Sequence, residues 1–233
     1  MHLDTSPSPL APPEPMPGAG LEPAFAADLP GALRSGASLL RRCTAVLLDR
    51  RSADRRLLED VILAHYARSD APLSLLSVGT HLQSRGYEAL LPRHRYVTVD
   101  RDPAMACYGS SQRHVVGALG ELGDALEPQS FDVVLMNGVI GWGLDDVDSA
   151  DRALRELFRV LRPGGELIVG WNDRPGRRPF ALEALPALRL FHRTLFRPLR
   201  AATVCVPGWR RHRYDFFRKP CADTETRPSV HCA

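Results

Sequence analysis

Two short apolar runs end on residues suited to holding a sugar-bearing ligand. LSLLSVG (73–79) ends on Gly79, and RYVTVD (95–100) ends on Asp100, 21 residues later. A glycine at a strand end lets the backbone approach a ligand closely, and a carboxylate ending the next strand can accept hydrogen bonds from both hydroxyls of a ribose. The alternative for Asp100 is a cap on the turn before Pro103. His81, two residues beyond Gly79, and His212, in the run HRYDFF (212–217), are weak candidates for a general base. Each equally reads as a histidine satisfied by its neighbours. Trp142, in NGVIGWGLD (137–145), could shape a pocket or lie against a cationic face of a ligand, or simply pack in the core. The five cysteines (Cys43, Cys107, Cys205, Cys221, Cys232) are scattered and form no CxxC pair, so neither a metal site nor a disulfide framework is expected.

The elements that must position these residues follow from periodicity. FDVVLMN (131–137) and ELIVGW (166–171) join the first two runs as strands, with a weaker candidate at HVVGAL (114–119). Runs that are apolar on both faces suit a buried parallel sheet. A helix is expected over about 52–68, with Ser52 as N-cap and Leu57, Leu58, Val61 and Ile62 forming one stripe. A second follows the acidic stretch from Asp145 to Asp151, with Leu154, Leu157, Phe158 and Leu161 at helical spacing and Pro163, Gly164 and Gly165 stopping it. Residues 174–200 read as helical or irregular. Two late runs, ATVCV (202–206) and HRYDFF, are separated by a Pro-Gly turn and predict an antiparallel pair. Alternation in the second sends His212, Tyr214 and Phe216 to one face, and Arg213, Asp215 and Phe217 to the other. The expectation is an α/β fold: a Rossmann-like, doubly wound, mostly parallel seven-stranded sheet with an antiparallel C-terminal strand pair.

With 233 residues, 44% apolar and 24% charged, the chain has room for one sizeable core plus tails. A Pro/Ala-rich arm (1–33), one domain (34–219) and a tail (220–233) are expected. No apolar run reaches the ~18 residues of a membrane helix, and the N-terminus lacks the pattern of a secretory signal. These absences predict a cytoplasmic protein without membrane insertion. The net charge is +3, yet Arg174–Lys219 holds twelve Arg or Lys against Glu183 and Asp215 alone. Such a segment could meet an acidic small molecule, or could be ordinary solvated surface in an Arg-rich chain. Stacking aromatics are few there and no nucleic-acid motif is present, so nucleic acid is disfavoured as a partner. Nothing in the sequence specifies an oligomeric state.

Three segments taken together resemble the class I S-adenosylmethionine-dependent methyltransferases, most nearly their type 11 group of small, mostly bacterial enzymes. They are the Gly79/Asp100 strand pair, FDVVLMNGVIGWGLD (131–145), and RALRELFRVLRPGGELIVGWN (152–172), of which the LRPGG turn is the most specific. The likeness covers roughly residues 50–217. It implies S-adenosylmethionine as cofactor and methyl transfer to a small-molecule acceptor by direct displacement. It places Gly79, Thr80 and His81 in the cofactor loop, Asp100 on the ribose, and Arg101 and Asp102 beside the adenosine. Ala118 and Leu119 would flank the adenine, and Asn137 and Gly138 would border the methyl. Trp142, Trp171 and Asn172 would line the acceptor pocket. The chain departs from the family pattern in the loop, where Ser77 replaces an acidic residue and His81 and Gln83 replace glycines, and at Ala118, where an acidic residue is usual. Two other readings stay open: a non-catalytic binding protein on the same fold, and an NAD-dependent oxidoreductase, against which the missing GxGxxG weighs.

Overall fold

A computed structural model describes residues 52–221. The expected arm over 1–33 and the tail beyond Cys221 lie outside the described residues.

Eight strands form one sheet in the order β3-β2-β1-β4-β5-β8-β6, with β7 pairing on β8. They are β1 (Ser74–Val78), β2 (Arg95–Asp100), β3 (Arg113–Val116), β4 (Phe131–Asn137), β5 (Leu161–Asn172), β6 (His192–Arg193), β7 (Thr203–Cys205) and β8 (His212–Arg218). β1 to β5 pair in parallel, whereas β8 runs antiparallel to β5, β6 and β7. The expected strands are present, and the eighth is the two-residue β6, too short to leave a periodic signal. The Pro-Gly turn between β7 and β8 closes as expected, with Val206 N–H donating to His212 O at 2.7 Å. Chain order reverses between β1 and β4. In an open parallel sheet such a reversal leaves a crevice beyond the carboxyl ends of the strands, because the connections on either side diverge to opposite faces.

Strand alternation feeds two cores. Leu76, Val78, Val97, Val99, Val134 and Met136 pack beneath α3 (Val147–Val160), which contributes Ala150, Ala153, Leu154, Leu157 and Val160. Leu75, Tyr96, Val133, Leu135, Ile168 and Phe216 face the other way, onto Leu58, Ile62, Leu63 and Tyr66. Those last four belong to the helix α1, which runs through Ala53–Arg56, a π-helical stretch Leu57–Leu63 and Ala64–Ala67. Removing one such Leu from water is worth about 1.5–3 kcal/mol, so the two stripes fix both layers on the sheet. Asp146 caps α3, its carboxylate accepting from Ser149 N–H at 2.8 Å. Ser52 occupies the N-cap of α1 by its extended backbone, without a capping bond from its side chain.

A local expectation is corrected at the end of β3. β3 ends at Val116, so Ala118 and Leu119 lie at the start of a 3₁₀ turn (Leu119–Glu121) instead of at a strand end. Gly117 follows the strand, its N–H donating to Asp100 O at 2.9 Å, and a Cβ added there would press on Leu122 Cδ2 at 2.8 Å. The helix after Gly79 begins only at α2 (Tyr87–Leu90), four residues long. The donors facing the crevice after β1 therefore come from a turn, not from a helix N-terminus. No helix among the described residues is long and apolar enough to cross a membrane.

Candidate functional site

The crevice over the carboxyl ends of β1, β2 and β4 is a cavity of about 760 Å³, inside the range of about 300–1,000 Å³ usual for small-molecule sites. Gly79, Thr80, His81, Asp100, Arg101, Ala118, Leu119, Asn137, Gly138, Trp142 and Asn172 all line it. Thus every residue expected at the site reaches the cavity except Trp171.

Asp100 anchors one end. Its Oδ2 accepts from Thr80 N–H at 2.7 Å and lies 3.3 Å from the Thr80 hydroxyl, while Oδ1 accepts from Asp102 N–H at 2.9 Å. The carboxylate both ties the β1 loop to β2 and keeps acceptor capacity, since its two oxygens together offer about four lone-pair sites. The capping alternative is therefore partly realised: Asp100 bonds Asp102 N–H, while Asp102 itself caps the turn at Ala104 N–H.

The loop explains how the family's glycines can be missing. Gly79 holds φ +80°, where a side chain is strained, and an added Cβ would meet Val139 Cγ2 at 3.1 Å. Neither His81 nor Gln83 adopts a positive φ. Ser84 instead ties the turn, exchanging hydrogen bonds with His81 N–H and His81 O at 2.9 Å each. Gln83 accepts from the Arg55 guanidinium. Arg55, which sequence reasoning missed, projects from α1 into the crevice, and its Nη1 is buried without a hydrogen-bond partner among the described residues. An arginine near the start of the helix ahead of β1 was the available signal.

The far end is built across β4, β5 and β8. Asn137 Oδ1 lies 3.0 Å from His212 Nε2, and Asn172 Oδ1 lies 2.8 Å from His212 Nδ1. Amide oxygens at both ring nitrogens suit either a doubly protonated imidazole or an amide turned to present its NH₂. In both states the ring is occupied by protein, so His212 orients Asn137 and does not offer an open base. Gly170 makes this possible, because a Cβ on it would overlap the Asn137 carboxamide. His212 shares its face with Tyr214, ring centroids 4.7 Å apart, as alternation predicts. The remaining base candidate, His81, lies exposed on the crevice rim.

Trp171 is a correction. It lies on the same face of β5 as Leu167 and Val169, inside the core beneath α3, and its indole N–H donates to buried Asp215 at 3.0 Å. Trp142, in contrast, is 57% exposed on the rim, with the Arg177 guanidinium 3.7 Å from its ring centroid. Trp209, Arg174 and Arg210 complete that rim, and none of them had been singled out as a site residue.

Residues 76–169 match the family model described as "Methyltransferase domain". That match spans 94 of the chain's 233 residues. Among curated proteins it is 32% identical over 84 residues to the ubiquinone/menaquinone biosynthesis C-methyltransferase UbiE of Pseudoalteromonas translucida, over 33% of this chain and 32% of that one. It is 48% identical over 50 residues to the demethylmenaquinone methyltransferase of Leptospira interrogans, over 19% and 18% of the two chains. The chain spans about a third of the length, or less, of these curated relatives. Among solved structures it is similar to the N-methyltransferase NodS of Bradyrhizobium japonicum in complex with S-adenosylhomocysteine. That match has a TM-score of 0.57 at 19% identity and covers 73% of this chain and 89% of that one. At this identity the likeness speaks to the fold alone.

Proposed function

We propose that the protein catalyses S-adenosylmethionine-dependent methyl transfer to a small-molecule acceptor. The observation that carries this reading is Asp100: a carboxylate with lone pairs to spare, held at the end of β2 over an open crevice at the reversal in strand order. When bound, S-adenosylmethionine supplies a methyl group activated by the sulfonium. Departure of the sulfur as a neutral thioether would require no acid, so the chain's residues would have only to hold the acceptor and, where it is a hydroxyl, take its proton.

The residues present fit this cofactor. Asp100 accepts from the ribose hydroxyls, and Ala118 and Leu119 supply apolar surface for the adenine. The Gly79–Thr80–His81 turn lets the backbone come close, and the unpartnered Nη1 of Arg55 suits an amino-acid carboxylate. Asn137 and Gly138 border the reacting centre. The chain's contribution is mainly to hold the two reactants in line and exclude water. For a hydroxyl acceptor, His81 on the crevice rim is the remaining candidate to take the proton, while His212 holds Asn137.

Calorimetric titration with S-adenosylmethionine, S-adenosylhomocysteine and NAD tests the proposal. Saturable binding of the first two and not of NAD is the expected result. Binding of none would favour a non-catalytic protein on this fold, and binding of NAD alone an oxidoreductase.

A further inference from the structure

Among the described residues, five of the twelve basic side chains from Arg174 to Lys219 pair with a carboxylate. Arg178 pairs with Asp173, Arg193 and Arg213 with Asp215, and Arg218 with Glu166, while Lys219 donates to Phe158 O and Leu161 O. Arg210, on the crevice rim, lies 3.6 Å from Asp54. Arg174 and Arg177 are among those with no carboxylate within ion-pair distance among the described residues, and both line the crevice. The backbone holds both at the crevice. Arg174 O accepts from Arg177 N–H and Arg178 N–H at 3.1 and 3.0 Å, and Arg177 Nη1 donates to Gly141 O at 3.3 Å. Gly141, at φ +78°, leaves no room for a Cβ against Arg177 O, so the two segments close on each other only through this glycine.

Each of these arginines lies over a tryptophan. Arg177 is 3.7 Å from the Trp142 ring centroid and Arg174 is 5.0 Å from that of Trp209, and the tryptophans are 57% and 72% exposed. Among the described residues, Arg174 Nε is buried without a hydrogen-bond partner. Such an N–H costs about 1–3 kcal/mol when left unmade, and an anion entering the crevice would satisfy it. The acidic lining residues Asp100, Asp102 and Glu121 follow β2 and β3, where Arg101 and Arg152 also line the cavity, and Asp54 lies beside Arg210.

We infer that the acceptor is a small aromatic anion, a ring bearing a carboxylate or phosphate, whose charge is held by Arg174 and Arg177 and whose ring lies against Trp142 or Trp209. This rests on the methyl-transfer reading for the name acceptor, but the binding claim stands on the arginines alone.

The test is quenching of intrinsic tryptophan fluorescence by benzoate, phenyl phosphate and the neutral isostere benzamide. It is run on the full chain with and without S-adenosylhomocysteine, and on the R174Q/R177Q variant. Saturable binding of benzoate or phenyl phosphate, with benzamide and the double variant each weaker by about tenfold or more, is expected from the loss of charge-assisted hydrogen bonds. Which anion binds more tightly assigns the acid group. Benzamide binding as well as benzoate, or a double variant that binds both anions unchanged, overturns the inference. S-adenosylhomocysteine affinity, measured separately, tests the methyl-transfer reading and is expected to survive R174Q/R177Q.

Discussion

Asp100→Ala removes a group with two jobs, and the structure lets them be separated. The first is to tie the β1 turn, through Thr80 N–H at 2.7 Å and Asp102 N–H at 2.9 Å. Thr80 is 5% exposed, so leaving its N–H unpaired should cost about 1–3 kcal/mol of stability. The second is to accept from the ribose of the cofactor. Hydrogen bonds to a charged acceptor are worth roughly 1.5–3 kcal/mol each. Allowing for imperfect geometry, the pair gives about 2 kcal/mol or more, a loss of roughly 30-fold in affinity. A simple drop in S-adenosylhomocysteine binding would not tell the two jobs apart. The assay is therefore calorimetric titration of wild type and variant with S-adenosylhomocysteine and with its 2′,3′-dideoxy analogue, beside urea unfolding of each protein. Wild type should prefer the hydroxylated ligand by about 30-fold, and the variant should bind both within about threefold of each other. A variant that keeps the wild-type preference would refute the ribose assignment, whatever its stability.

Other consequences follow from the same contacts. Gly170→Ala places a methyl group against the Asn137 carboxamide; urea unfolding should show a loss of about 1–3 kcal/mol, with weaker S-adenosylhomocysteine binding as Asn137 is displaced from His212. Asp215→Ala strips the buried carboxylate shared by Arg193, Arg213, Thr203 and Trp171, and should cost about 3–5 kcal/mol in the same assay, because it leaves charge and donors without their partner. Burial raises the Tyr66 and Tyr214 hydroxyls well above the ordinary tyrosine range, and pushes Tyr96 up to about 12. The folded state thus holds protons that the unfolded chain releases near pH 10, so the tyrosines' contribution is complete below that pH and is lost as pH climbs toward 12. Denaturant midpoints measured from pH 8 to 11 should fall above about pH 10, and a flat profile would contradict the burial.

The fold was legible wherever burial wrote a period into the chain. The β1, β2 and β4 runs and the Pro-Gly turn before β8 appear where patterning puts them, and so does the α3 stripe up to Phe158, whereas Leu161 and the expected stop at Pro163, Gly164 and Gly165 fall within β5. Asp100 was legible too, since its position at a strand end after Gly79 is a local fact. Contacts that depend on distant partners were not. Gly170 reads as an ordinary strand glycine until Asn137, from a neighbouring strand, fills the space above it. The Arg177–Gly141 closure joins residues 36 apart through a backbone approach that no periodicity announces. Trp171 is a different case: strand alternation already put it on the face of Leu167 and Val169, and its place beside the predicted pocket residue Asn172 obscured that signal. The departures at His81 and Gln83 looked damaging as missing glycines, and the backbone there does not demand positive φ.

The most direct test of the account is a crystal structure of the chain with S-adenosylhomocysteine. The adenosine should lie across the carboxyl ends of β1 and β2, with both ribose hydroxyls within about 3 Å of the Asp100 carboxylate and the adenine beside Ala118 and Leu119. Density for the ligand elsewhere, or a ribose held without Asp100, would contradict it.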